Sequence, residues 1–290
     1  MLKNTFCHMH GIGPGTESLL WENNIRTWDD FLKSQEAPPR KKRHGLLNKE
    51  IEESFARLGK NDAAYFSRLL PKKEHWRLFP DFRPWAAYLD IETNGVMGPG
   101  GYITTIALYD GKRVRHYVRG RNLEAFKEDI LGYTLLVTYN GKCFDIPFIE
   151  GEFGIKLEQA HIDLMHVMRS LGFRGGLKGC ERALGIGRGE LEGLDGYFAV
   201  LLWEDFLRSS NPRTLDTLLA YNIEDAVNLE RLLIHSYNLK IKETPFSTTH
   251  RIAEKDPPKA KIRPDRGTIE RVLAQNPWYC ARLVNRPPAP

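Results

Sequence analysis

Apolar positions in the first seventy residues recur at helical spacing. Leu19, Leu20 and Trp21, then Trp28, Phe31 and Leu32, predict two short helices. Leu46, Leu47, Ile51, Phe55 and Leu58, followed by Tyr65, Phe66, Leu69 and Leu70, predict a helical stretch over 46–70 that Pro71 closes. From Trp85 the pattern changes to short apolar runs of strand composition: 86–92, 102–109, 113–118 and 134–139. Asp110-Gly111 is a hairpin signal between the second and third runs. A helix over 123–130 precedes the fourth run, and helices follow it around 144–153, 161–171, 177–184, 197–207 and 214–237. Strands of antiparallel type followed by alternating helix and strand predict an α/β layer. The final fifty residues are rich in proline and charge and read as an extended tail with one helix over 268–274. The chain therefore divides into a helical hairpin module (1–33), a basic linker with helices (34–84), an α/β domain (85–237) and a basic, proline-rich tail (238–290).

Composition narrows the class. Of the 290 residues 41% are apolar, enough for a core, and no run approaches the roughly 18 apolar residues of a membrane-spanning helix. No membrane association is expected. The first fifteen residues hold Lys3 but no apolar run behind it, so they do not read as a secretory signal. Cys7, Cys143, Cys180 and Cys280 form no Cys-x-x-Cys pair, which argues against a zinc site or a disulfide scaffold and for a cytoplasmic location. Charge is unevenly spread: residues 1–85 hold 15 basic and 11 acidic side chains, 86–237 hold 16 and 21, and 238–290 hold 11 and 5. An acidic middle between basic flanks suits a cation-binding centre surrounded by a surface for a polyanion, and is equally ordinary scatter.

Near the N-terminus, Gly11, Gly13 and Gly15 permit a tight turn with outward backbone amides, with Thr16 and Thr27 as candidate helix N-caps. The segment is similar to the helix-hairpin-helix module, in which hairpin amides hold a phosphate. Asn24 stands where that module has its second glycine, and a left-handed backbone is tolerable there. The same segment also reads as a turn between packed helices. The basic tetrad Arg40–Arg43 reads as a solvated linker.

The acids carry the chemistry. Asp90 and Glu92, at i and i+2, share one face of a strand, where burying lone charge is costly and a divalent cation offsets the cost. Asp145 follows Asn140-Gly141 at a helix start, where it also serves the helix dipole. Tyr221 and Asp225, four apart, share a helix face. Asp-x-Glu, then Asn-x-x-x-Phe-Asp, then Tyr-x-x-x-Asp resembles, in order and spacing, the three motifs of the DnaQ-like DEDD exonuclease superfamily, tyrosine branch. With the N-terminal hairpin the chain resembles the YprB-type ribonuclease-H-like group. The resemblance runs from about Trp85 to Tyr237 and implies a ribonuclease-H-like mixed sheet with flanking helices and a small N-terminal helical module.

It further implies a 3′ to 5′ exonuclease acting on DNA or RNA ends with two Mg2+ or Mn2+ ions. Asp90, Glu92, Asp145 and Asp225 would be the ligands, and Tyr221 would orient the attacking water. Thr93, Asn94, Asn140, Phe144 and Lys178 are candidate substrate contacts, Asp163 a supporting residue. His161 and His166 read as packing or surface residues, since magnesium and manganese prefer oxygen. Two rival readings are a nucleic-acid-binding scaffold with a vestigial nuclease fold and a structure-specific endonuclease. Protein partners are unknown.

Overall fold

A computed structural model describes residues 1–34, 44–258 and 261–284. The basic tetrad Arg40–Arg43 lies outside the described residues. The N-terminal part holds α1 (Pro14–Glu22), α2 (Trp28–Lys33), α3 (His44–Gly59) and α4 (Ala63–Leu69). Gly13 is the N-cap of α1 with Pro14 at the first helical position, so the helix begins ahead of Thr16, contrary to the expectation that Thr16 caps it. Proline's fixed φ favours that start. Thr27 caps α2 in a capping box with Asp30, and Asn24 between the helices is left-handed at φ +61°.

This part is anchored by buried polar contacts. A 3-10 segment (Lys72–Leu78) brings Arg77 to Glu17 of α1 at 2.8 Å and to Glu74 at 2.9 Å. The Trp28 indole donates to the Thr5 carbonyl at 2.8 Å. A short helix α5 (Phe79–Phe82) and a 3-10 turn (Arg83–Trp85) lead into the sheet.

The sheet comprises β1 (Ala86–Thr93), β2 (Ile103–Tyr109), β3 (Val114–Val118), β4 (Leu135–Thr138) and β5 (Ala160–Asp163) in the order β3-β2-β1-β4-β5. β1 pairs antiparallel with β2 and parallel with β4, which pairs parallel with β5. This mixed sheet with helices on both faces is ribonuclease-H-like. The Asp110-Gly111 turn closes the β2–β3 hairpin, with Asp110 Oδ1 accepting from the amides of Lys112 and Arg113. A 3-10/α run containing α6 (Phe126–Asp129) leads to β4, and α7 (Asp145–Phe153) follows it.

β5 corrects the expected helix over 161–171: Ala160–Asp163 is strand and only Leu164–Ser170 (α8) is helical. Paired with β4 and buried throughout, the four residues carry too little alternation to be recognised. The remaining helices are α9 (Gly176–Ala183), α10 (Gly196–Ser209), α11 (Pro212–Ile241), α12 (Arg266–Gln275) and α13 (Pro277–Val284).

Two cores result. Ala87, Leu89, Ile91, Ile106 and Leu108 face α6 and α7, while Tyr88, Ala107, Val137 and Ile162 face α10 and α11. The tail is not simply extended. α12 and α13 both form in it, and Arg271 forks onto Asp205 of α10 with two contacts of 2.7 Å. Tyr279 donates to Asp195 Oδ1 at 2.9 Å and stacks on Phe198. Proline-broken sequence hid these contacts because they are tertiary.

Candidate active site

The period of two along β1 puts Asp90 and Glu92 on the face toward α11. A bulge between Glu92 and Thr93 breaks the pairing with β2 there. α11 supplies Asp225. One carboxylate oxygen each from Asp90, Glu92 and Asp225 lie within 4.8 Å of one another. Asp145, the first residue of α7, arrives beside the same strand and accepts a hydrogen bond from the Ile91 amide at 3.2 Å. The four acids line one cleft of about 330 Å³ together with Thr93, Asn140 and Phe144.

The electrostatics of this cleft are strained. Burial, then the charges of Asp225, Glu92 and Asp145, holds Asp90 well above the usual carboxylate range. Burial and Asp225 do the same to Glu92, against the pull of Lys178. Asp145 is pushed up to about 7 by burial, opposed by its own and the Ile91 backbone amide. Three converging oxygens and a fourth acid beside them, with no sulfur or imidazole among them, are a donor set that fits a hard divalent cation. His161 is not part of it: its Nε2 pairs with Thr138 Oγ1 at 2.8 Å, and burial lowers it to about 3.

Tyr221 is fully buried, one turn from Asp225, and its hydroxyl accepts from the Lys178 ammonium, which also lies 3.3 Å from Asp225 Oδ2. Burial, then Asp225, raises Tyr221 far above its ordinary value. Glu224 turns away toward Asn228.

Other expected contacts are placed differently. Asn94 is not in the cleft lining; its side chain closes the β1–β2 loop, accepting from Tyr102 N at 3.0 Å and donating to Gly100 O at 3.0 Å. Asn140 is left-handed at φ +64°, and its amide donates to Asp163 Oδ1 at 2.8 Å. Asp163 also accepts from Lys142 N and caps α8, so it shapes the loop carrying Asn140. Among the N-terminal glycines, Gly11 is left-handed (φ +76°), Gly13 caps α1, and Gly15 lies inside its first turn.

Sequence reasoning missed three residues. Asn222 is fully buried; its Nδ2 donates to Asp90 Oδ2 at 2.7 Å while its Oδ1 accepts from Thr105 at 3.0 Å. Arg188 contacts Asp225 Oδ1 and, at 2.9 and 3.0 Å, Glu181. An amide beside Tyr221 on an otherwise apolar helix face was the available signal for Asn222; Arg188 and Glu181 offered none.

A central strand bearing acids in a mixed five-stranded sheet, flanked by helices, defines a ribonuclease-H-like class of fold. Residues 87–237 match the RNase_H superfamily, and the chain belongs to that superfamily. Over 187 residues it is 32% identical to a protein of Bacillus subtilis (strain 168) named uncharacterized protein YprB. That match covers 56% of this chain and 44% of the relative, so the chain spans less than half of its length. Among solved structures it is similar to the family B DNA polymerase of Pyrobaculum calidifontis, with a TM-score of 0.42, 18% identity, and coverage of 58% of this chain and 27% of the polymerase.

Proposed function

We propose that the chain is a metal-dependent 3′ to 5′ exonuclease of DNA or RNA working with two Mg2+ or Mn2+ ions. The observation that carries this reading is the convergence of Asp90, Glu92 and Asp225 from two elements onto one point, with Asp145 at the same strand end. In this reading Asp90, Glu92, Asp145 and Asp225 would hold the ions, which would supply activation of a water and charge stabilisation of the leaving oxygen.

Tyr221, fully buried beside Asp225 and outside the cleft lining, stays protonated and is not a base; its hydroxyl would help orient the water. Lys178, outside the cleft lining but held at Tyr221 and Asp225, would supply a positive charge beside the cleft. Thr93, Asn140 and Phe144 line the cleft where a terminal nucleotide would lie. The glycine hairpin at Gly11, Gly13 and Gly15, exposed on the surface, suits a grip on a more distant phosphate, as in a helix-hairpin-helix module.

Oligonucleotides of DNA and RNA, single- and double-stranded and labelled at the 5′ end, test the reading with Mg2+ or Mn2+. Stepwise shortening from the 3′ end is expected. Asp90→Asn and Asp225→Asn should each abolish it while retaining nucleic-acid binding, the latter because an asparagine oxygen can still accept from Arg188. Internal cuts would favour the endonuclease and binding without products the scaffold; full activity in either variant would overturn the site.

A further inference from the structure

A buried arginine stands behind one of the converging carboxylates. Arg188, in the turn after α9, spends one terminal nitrogen on Asp225 Oδ1 and the other on both oxygens of Glu181. Its side chain is 3% exposed, that of Glu181 0% and that of Asp225 6%. Asn228, three residues beyond Asp225 on α11, donates to Glu181 Oε1 at 2.8 Å and so ties the pair to the same helix. Lys178 approaches the other oxygen of Asp225.

Such a triad is a poor device for stability, because desolvating its charges costs about as much as their attraction returns, and a packed apolar cluster often does better. The Arg188 Nε, buried, has no hydrogen-bond partner among the described residues, which adds to the cost. The expense is placed at a carboxylate of the site and nowhere near a surface. Its effect is therefore expected on that carboxylate.

Resting on the nuclease reading above, we propose that Arg188 is a positioning residue for Asp225. It holds Oδ1 from the protein side, so that a metal ion would compete only with the looser Lys178 contact at Oδ2, and by its fixed charge it weakens the hold of the acidic cluster on that ion. Glu181 and Asn228 keep the guanidinium from swinging toward the cleft. Asp225 is thereby offered in one orientation and with moderated affinity.

The test is Mn2+ binding to the full chain without nucleic acid, read from the electron paramagnetic resonance of the free ion, beside kcat and KM on a 5′-labelled oligonucleotide. Arg188→Met combined with Glu181→Gln removes the pair together and keeps an acceptor for Asn228. Arg188→Lys keeps a charge without the fork. The double variant is expected to bind Mn2+ severalfold more tightly, since the positive charge it loses touches Asp225 whereas the negative charge of Glu181, lost with it, lies behind the guanidinium. Its kcat should fall about 10- to 100-fold at unchanged KM.

Arg188→Lys should keep the wild-type Mn2+ affinity and lose kcat. Unchanged or weaker Mn2+ binding in the double variant, falling in step with thermal stability, is what a purely structural role predicts and would overturn the proposal. Wild-type protein that binds Mn2+ but shortens no strand would overturn the nuclease reading alone, the affinity comparison still deciding the role of Arg188.

Discussion

Glu92 is 9% exposed, faces Asp225 and Asp145, and has Lys178 as its strongest compensating charge. Its ionised form is therefore a net cost to the fold in the absence of cations. Glu92→Gln keeps the shape and removes the repulsion, so in EDTA its Tm should rise by about 2–4 °C, corresponding to roughly 1 kcal/mol, while hydrolysis is lost. A lower Tm by scanning calorimetry would mean that the attraction to Lys178 outweighs the repulsion. Asn222 works in the opposite sense, because its amide joins Thr105 to Asp90 inside the core. Asn222→Ala orphans Thr105 and loosens Asp90, and should cost about 1–3 kcal/mol in urea unfolding and 10- to 100-fold in kcat. The residues of the site differ in legibility for a physical reason. Asp90, Glu92, Tyr221 and Asp225 stand at spacings of two and four, which strand and helix geometry convert into shared faces. Arg188 reaches Asp225, and Glu181 reaches Arg188, only through the docking of α9 and the turn after it on α11, which no local spacing encodes.

At the scale of elements, the packing of the N-terminal helices against one another contains a titratable weak point. His8 lies between Trp28 of α2 and Phe66 of α4, with ring centroids 5.5 Å from each. Its Nε2 pairs with Ser54 Oγ at 2.9 Å. Burial, helped by the charge of Arg77, lowers it from 6.5 to about 3. The folded state therefore holds His8 neutral where the unfolded chain protonates it. Its contribution is fully present above pH 6.5 and is lost progressively as pH falls toward about 3. His8→Phe should flatten the loss of urea midpoint between pH 7 and pH 5; an identical slope would mean that His8 is not the group responsible. The strands β1 to β4 were legible because each is an apolar run ended by a turn or helix signal. β5 was not, since four residues ending in Asp163 look like the first turn of the helix they precede.

Across the whole molecule, the uneven charge acquires a structural division. The acidic domain concentrates Asp90, Glu92, Asp145 and Asp225 in one cleft. In the basic tail, several cations are already committed: Arg271 to Asp205, Arg282 to Asp195, Arg266 to Glu270 and Lys240 to Glu243. Deleting residues 238–290 would therefore remove α12 and α13 from the domain, and lost binding would not report on charge alone. Lys255, Lys261 and Arg263 are exposed, lie between α11 and α12, and form no ion pair among the described residues. If they meet nucleic-acid phosphates, each contact neutralised should lower the slope of log affinity against log salt by about 0.7 for single strands or 0.9 for duplex DNA. The triple replacement by glutamine should thus reduce the slope by about 2 to 3 with kcat unchanged, measured by fluorescence anisotropy across a salt series. A slope equal to the wild type would assign the tail a packing role and leave phosphate binding to the cleft and the glycine hairpin.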